Sequence, residues 1–141
     1  MRVLAVDPGT KRVGLAISDP SGVIATPLGS VPAEPSASLP DRLATVAREK
    51  EAARIVVGLP KRMDGSEGPE ARAARGLADA LRAVSGLPVQ MVDERLSSAA
   101  AERALIAGGT RRQERRRLSD QVAAAIFLQS YLDAEARRHG R

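Results

Sequence analysis

The chain contains no cysteine, and its only histidine stands at position 139 of 141. Without thiols there is no disulfide, no thiolate metal site and no cysteine nucleophile. One histidine beside the end argues against a histidine-rich zinc centre and against a Ser-His-Asp triad. Aromatic residues are nearly missing as well: Phe127 and Tyr131 are the only two. The core must then be built from Ala, Val, Leu and Ile, and no platform of stacked rings is available to hold a nucleic acid. No apolar run approaches a membrane span and no signal peptide precedes the first strand-like run, so a soluble cytoplasmic protein with no membrane partner is expected. Any enzymatic chemistry would have to rest on carboxylates, lysine, hydroxyls or a hard metal ion.

Against those absences stand 43% hydrophobic residues in 141, enough for one compact domain spanning 1–141 with a real core. The formal net charge is +5, and 19 of the 22 basic residues are arginine. The planar guanidinium fork binds two phosphate oxygens at once, which favours a polyanionic partner. Ordinary solvated arginines are the alternative.

The pattern along the chain is strand-rich at first. "RVLAV" (2–6) and "RVGLAISD" (12–19) read as two strands joined by a turn at Pro8-Gly9, and "VIATP" (23–27) reads as a third after the turn "DPSG" (19–22). Residues 28–38, rich in Pro, Ser and Gly, read as a loop. Pro40 and the stripe Leu39, Leu43, Val46, Ala47 predict a helix. "RIVVGLP" (54–60) is a buried-looking strand, followed by the polar loop "KRMDGSEG" (61–68). Pro69 opens a second helix with Ala73, Leu77, Ala78 and Leu81 on one face and Gly86 as its stop. "LPVQMVDE" (87–94) is a strand, "SSAAAERALIAG" (97–108) a helix, and "TRRQERRR" (110–117) a basic stretch. A final helix is expected from about Leu118 to Arg138, with Val122, Ala125, Ile126, Gln129 and Leu132 along one side. The element order β-β-β-α-β-α-β-α predicts an α/β fold: a mixed five-stranded sheet with helices on both faces and its last two strands parallel.

Acidic residues fall at suggestive places. Asp7 ends the first strand, Asp93 and Glu94 end a parallel one, and Asp120 opens the last helix. Sites in parallel sheets collect at the carboxyl ends of strands. Carboxylates converging there, with no Cys or internal His, suit Mg²⁺ or Mn²⁺, and a pair of such ions is the usual arrangement for phosphodiester displacement. Each acid also has a plainer reading: a turn former at Asp7, a surface ion cluster at Asp93-Glu94-Arg95, a favourable helix-dipole contact at Asp120. Adjacent on a strand, Asp93 and Glu94 face opposite sides, and the residues alone leave open which one serves. Thr10, Lys11 and Arg12 lie beside Asp7, where they can reach a phosphate or simply form a solvated turn. Arg95 can bind a phosphate or neutralise Asp93. Arg115 and Arg116 belong to the basic stretch leading into Asp120, which is either a solvated segment or an arm guiding a nucleic-acid strand; an arm would bind less tightly as salt rises.

Four stretches in this order, "LAVDPGTKRVGLAISD" (4–19), "IVVGLPKRMDGSEG" (55–68), "VDERLSS" (92–98) and "SDQVAAAIFLQSYLD" (119–133), resemble the YqgF family, also called RuvX. That small RNase H-like family is described as Holliday junction resolvase-like or as a pre-16S rRNA nuclease. The resemblance covers nearly the whole chain. It implies an RNase H-like fold, catalytic and metal-holding acids at Asp7, Glu94 and Asp120, and Mg²⁺ or Mn²⁺ as cofactor. It also implies structured RNA, or alternatively branched DNA, as partner, with the protein a monomer or a homodimer. Between the adjacent acids the related resolvase pattern favours Glu94. Arg62 stands where the family usually has Asn, Ser97 or Ser98 where it often has Thr, and "RRRLSD" (115–120) where it commonly has Lys-Gly before the last acid.

Overall fold

A computed structural model of the chain describes residues 1–62, 64–93 and 112–138, with the backbone alone for 112–121. Within these residues the elements are β1 (Arg2–Asp7), β2 (Arg12–Ser18), β3 (Ala25–Pro32), a 3₁₀ turn (Ser36–Ser38), α1 (Leu39–Glu49), β4 (Ala52–Leu59), α2 (Pro69–Ser85), β5 (Val89–Asp93) and α3 (Arg112–Arg138). The sheet order is β3-β2-β1-β4-β5. The first three strands pair antiparallel, while β4 runs parallel to both β1 and β5. The expected mixed five-stranded sheet is therefore present. The helix expected over 97–108 lies outside the described residues.

Strand alternation divides the core into two layers. Leu4 and Val6 of β1, with Leu15, Ile17, Ile55 and Val57, face α1 and α2. Val3 and Ala5, with Ala16 and Val56, face α3. Helices thus cover both sides, and β1, central and buried, contributes to both layers. Pro40 and Pro69 sit in the first turns of α1 and α2, where a missing N–H leaves no bond unmade. Gly86 ends α2 at φ 69°, a left-handed cap that glycine adopts without a Cβ clash.

Four expectations need correction. The third strand is not 23–27 but Ala25–Pro32, running into the stretch read as a loop. As the edge strand it tolerates Pro27 and Pro32, and Gly29 (φ 119°) lies at the register shift against β2. Val23 and Ile24 are instead exposed, in a turn that Asp19 organises. The last helix begins at Arg112 rather than near Leu118, because Arg, Gln and Glu are good helix formers and nothing in 112–117 breaks the turn. Its buried face also lies elsewhere. Ala124, Phe127, Leu128, Tyr131 and Leu132 meet the sheet, while Val122, Ala125, Ile126 and Gln129 are only partly buried. The two aromatic residues set that rotation. On α2 the buried face is likewise Ala71, Ala74, Ala78 and Leu81, with Ala73 exposed.

Two polar devices fasten α3 and its neighbours. Gln129 Nε2 donates to the Val23 carbonyl (2.8 Å) and its Oε1 accepts from the Ala25 N–H (2.9 Å), tying the β2–β3 turn to the helix. The Tyr131 hydroxyl accepts from Arg54 Nη1 (2.5 Å) and donates to Gln90 Oε1 (3.2 Å), tying β4 and β5 to it. The β2–β3 turn is in turn held by the Asp19 carboxylate, which accepts from the N–H groups of Ile24 (2.8 Å), Val23 (2.7 Å) and Ser21 (3.2 Å) and from the Ser21 hydroxyl.

Two outcomes follow. Phe127 is fully buried, so Phe127→Ala is expected to destabilise the fold by about 3–5 kcal/mol, read from urea denaturation. The Ile24 N–H, then the Ser21 hydroxyl and the Val23 N–H, hold the Asp19 carboxyl far below the usual carboxylate range. A carboxylate with a depressed folded pKa stabilises above its unfolded pKa and loses that contribution as pH falls. Stability should therefore drop below pH ~4, and Asp19→Ala should be less stable at pH 7 with a shallower acid dependence, measured by thermal melts across pH 2–7.

Candidate nuclease centre at the carboxyl edge of the sheet

Asp7 ends the central strand and is 8% exposed. It shares alternation with Val3 and Ala5, which places it on the α3 side of the sheet. Its partner in register on β2 is Gly14. On the other side Val6 pairs with Val57, so the next step of the same register brings Gly58 alongside Asp7. Both glycines are buried. The only other buried polar residue among those described is Ser18, whose Oγ accepts from the Val3 N–H (2.8 Å) and donates to the Asp19 carbonyl (3.1 Å).

The turn after Asp7 is tight. A Cβ on Gly9 would lie 2.4 Å from the Arg12 carbonyl oxygen, so any side chain there would force the turn open. The Ala33 N–H donates to the Lys11 carbonyl (2.9 Å) and pins the turn to the end of β3. Thr10, Lys11 and Arg12 are exposed on this fixed turn, at the same edge as Asp7.

Asp120 reaches this edge through α3. Residues near the helix's C-terminal end sit at the amino edge of the sheet: Tyr131, Leu132 and Glu135 share one small cavity with Met1, Val3 and Arg54. Eleven residues of helix separate Tyr131 from Asp120, about 16 Å at ~1.5 Å per residue. Four residues of strand separate Val3 from Asp7, about 13 Å at ~3.3 Å per residue. The backbone of Asp120 therefore comes to the level of Asp7. It also lies one helical turn before Ala124, which is fully buried against the α3 face of the sheet. Asp120 is not in the first turn of its helix, as expected, but eight residues inside it. A favourable contact with the helix terminus no longer explains it, because that effect fades beyond the first turn.

Asp93 is on the wrong side to join them. It continues the alternation of Val89 and Met91, which pack into the α1/α2 layer, and it pairs with Leu59, which follows the alternation of Ile55 and Val57. The α3-facing member of β5 beside it is Val92. Glu94 and Arg95 lie outside the described residues, as do the side chains of Arg115, Arg116 and Asp120. Among the described residues no group of three or more acidic or histidine side chains is arranged to hold a metal ion. Asp7 is the member of the expected set whose side chain is described, and its hard oxygen donors, in a chain without thiols, fit Mg²⁺ or Mn²⁺ better than a soft metal.

The polar loop after β4 closes on itself through its own hydrogen bonds. The Gly65 N–H donates to the Arg62 carbonyl (2.8 Å), the Arg62 N–H donates to the Ser66 carbonyl (2.8 Å), and Asp64 Oδ1 accepts from the Ser66 N–H (2.9 Å) and hydroxyl (2.6 Å). Gly65 thus spends its N–H inside the turn. Arg75 donates to both Glu67 oxygens (2.8 and 2.6 Å) and holds that carboxyl below its usual range. Sequence reasoning passed over Gly14 and Gly58. Their signal was a glycine interrupting each of two β-branched runs, "RVGLA" and "VVGLP".

Known proteins match this architecture. The family model described as RuvX, Holliday junction resolvase, matches residues 1–134. A relative from Anaeromyxobacter sp. (strain K) is 47% identical over 136 residues, 96% of this chain and 99% of its own length. One from Lactococcus lactis subsp. cremoris is 43% identical over 137 residues, 96% of each chain. Both are named as candidate pre-16S rRNA nucleases. Among solved structures, Thermus thermophilus RuvC in complex with a Holliday junction substrate superposes with a TM-score of 0.62 at 19% identity, covering 97% of this chain and 96% of that one. The fowlpox virus Holliday junction resolvase gives 0.60 at 14% identity, over 96% and 99%. At such identities these two likenesses speak for the RNase H-like fold alone. The family model and the relatives carry the family itself: the chain belongs to the RuvX (YqgF) family.

Proposed function

We propose that this chain is a divalent-metal-dependent nuclease, a single domain that hydrolyses phosphodiester bonds in structured nucleic acid, with the precursor of 16S rRNA as its substrate during ribosome biogenesis. One observation carries the reading: a buried carboxylate, Asp7, ends the central strand on the side of the sheet that α3 covers. The rRNA substrate is supported by the names of the relatives. Asp7, Glu94 and Asp120 are the residues that would hold Mg²⁺ or Mn²⁺, which supplies an activated water and stabilises the leaving oxygen. Thr10, Lys11 and Arg12 would orient the phosphate from the exposed turn. Arg95, Arg115 and Arg116 would extend that contact along the strand. With a ribosomal precursor as substrate, the place of work is the cytoplasm; among the described residues no helix is long and apolar enough to cross a membrane.

A second reading takes a branched DNA junction as substrate. It is supported by the description of the family model and by the junction-bound RuvC structure of the same fold. Symmetric cutting of a junction calls for a two-fold dimer, whereas trimming a precursor does not.

Cleavage of a ribosomal precursor and of a four-way junction, assayed side by side with Mn²⁺, tests both. Asp7→Asn, nearly isosteric, should reduce cleavage at least about 100-fold, the scale of several kcal/mol of transition-state stabilisation. Equal cutting by the variant would point to a contaminant, and binding without cutting under every metal tried would make the chain a non-cleaving assembly factor. The alternation of β5 supports Glu94 over Asp93 as the second acid. Glu94→Gln should therefore lose cleavage as Asp7→Asn does, while Asp93→Asn should cut at close to the wild-type rate. The reverse pattern would overturn the assignment.

A further inference from the structure

Between the start of α1, the middle of α2 and the turn after β1 lies a half-open cleft of about 390 Å³. Val13, Leu39, Pro40, Ala73 and Leu77 give it apolar walls, and Thr10, Glu34 and Ser36 stand among them as its polar groups. It lies on the α1/α2 side of the sheet, away from the face that carries Asp7. Yet Pro8, Gly9 and Thr10, the three residues that follow Asp7, form part of its lining. A concavity of this size, mostly apolar with a few polar groups, has the features of a small-ligand site.

Three features set this cleft apart from a chance gap. Gly76 lines it from the middle of α2, where glycine weakens a helix relative to alanine. A Cβ built on Gly76 would meet no heavy atom within 4 Å among the described residues, and its φ is not positive, so neither packing nor backbone strain calls for glycine there. Second, the segment that carries Glu34 is pinned. The Arg42 guanidinium donates to the carbonyls of Pro32 (2.7 Å) and Pro35 (3.1 Å), and the Ala33 N–H donates to the Lys11 carbonyl (2.9 Å). Glu34 itself is exposed, and its Oε2 accepts the Ser36 N–H (3.1 Å). A carboxylate has about four lone-pair sites, so most of its accepting capacity is left for a ligand. Third, the rim is cationic. Lys11 and Arg12 continue the turn and are exposed, as is Arg72, one helical turn before Gly76 on the same side of α2.

From this we infer that the cleft takes an unpaired guanine base of the nucleic-acid substrate, swung out of its stack while the adjoining backbone lies against the Thr10–Arg12 turn. The inference rests on the nuclease reading and adds to it the base that fixes where the strand lies. A cationic rim suits a polyanion better than an apolar peptide. Aliphatic walls can enclose a flipped base in a chain that has no aromatic platform, and the missing side chain at Gly76 leaves room for a flat ring. Guanine carries two adjacent N–H donors on its pairing edge, which match the two oxygens of Glu34; adenine carries a donor beside an acceptor. Loops and bulges of structured RNA supply such a base at least cost, because it is already unpaired.

The test uses the full chain without divalent metal, so that binding is read apart from cleavage. The probes are three fluorescent RNA hairpins that differ only at one bulged position: guanosine, adenosine or an abasic site. The wild type should bind the guanosine hairpin roughly 10-fold more tightly than the abasic one, the scale of one well-made base contact. Gly76→Leu puts a good helix former into the cleft; it should keep or raise the melting temperature and bind all three hairpins at the abasic level. Glu34→Ala should lose the preference for guanosine over adenosine while still binding both more tightly than the abasic hairpin. Equal binding of guanosine and abasic hairpins by the wild type would overturn the inference, leave the nuclease reading standing and hand the cleft to a protein partner. A Gly76→Leu variant that still discriminates would also overturn it. A wild type that binds no hairpin yet cleaves the ribosomal precursor would sink the inference alone; neither binding nor cleavage would remove both readings together.

Discussion

Strand β1 is covered on both faces, and that double cover decides to which side of the sheet Asp7 belongs. In a two-sided strand every residue must face one helical layer or the other, and a slip by one residue would turn each side chain to the opposite layer. Leu4 and Val6 fill the α1/α2 layer, where large aliphatic groups are needed. Val3 and Ala5 fill the α3 layer, where the helix approaches over small residues. With those positions fixed, Asp7 can only fall on the α3 side. The side of the sheet on which the carboxylate falls is therefore set by the packing of its apolar neighbours.

The same economy applies to α3. One uninterrupted helix of 27 residues is anchored near its far end by Tyr131, Gln129 and the burial of Phe127 and Leu128. A helix transmits such an anchor rigidly, since each residue advances by a fixed rise. Contacts at the amino edge of the sheet thus set how far Asp120 extends toward the carboxyl edge. The edge that hosts Asp7 also holds the tight Gly9 turn, with Thr10, Lys11 and Arg12 facing solvent. A polyanion meeting that edge would encounter the cationic groups of the turn first and the buried Asp7 carboxylate behind them.

How much of this could be read from the residues differs by element. β1, β2 and β4 were legible because runs such as "RVLAV" and "RIVVG" have no other home than a buried strand. The starts of α1 and α2 were legible because Pro40 and Pro69 act locally. β3 was not, because an edge strand admits the Pro and Gly residues that ordinarily signal a loop, and its pairing with β2 is a long-range fact. α3 was misjudged at its start because a basic stretch and a helix are not exclusive: arginine is both a charge and a good helix former. Its buried face was misjudged because Ala and Ile leave the rotation of an apolar helix ambiguous, whereas Phe127 and Tyr131 resolve it once the sheet is in place. At the site, Asp7 was legible from its position at a strand end. That Gly14 and Gly58 flank it was not, since register is invisible until the strands are paired.

On the proposed nuclease reading, Asp7, Glu94 and Asp120 meet closely enough to hold divalent ions. The most direct measurement is a crystal structure of the chain soaked with Mn²⁺, with the metal located by its anomalous scattering. The expected result is a peak about 2.0–2.6 Å from a carboxylate oxygen of Asp7, with oxygens of Glu94 and Asp120 completing the same site. It would be contradicted by carboxylates more than about 10 Å apart, too far to share ions at those ligand distances, or by a metal bound elsewhere while Asp7 holds none.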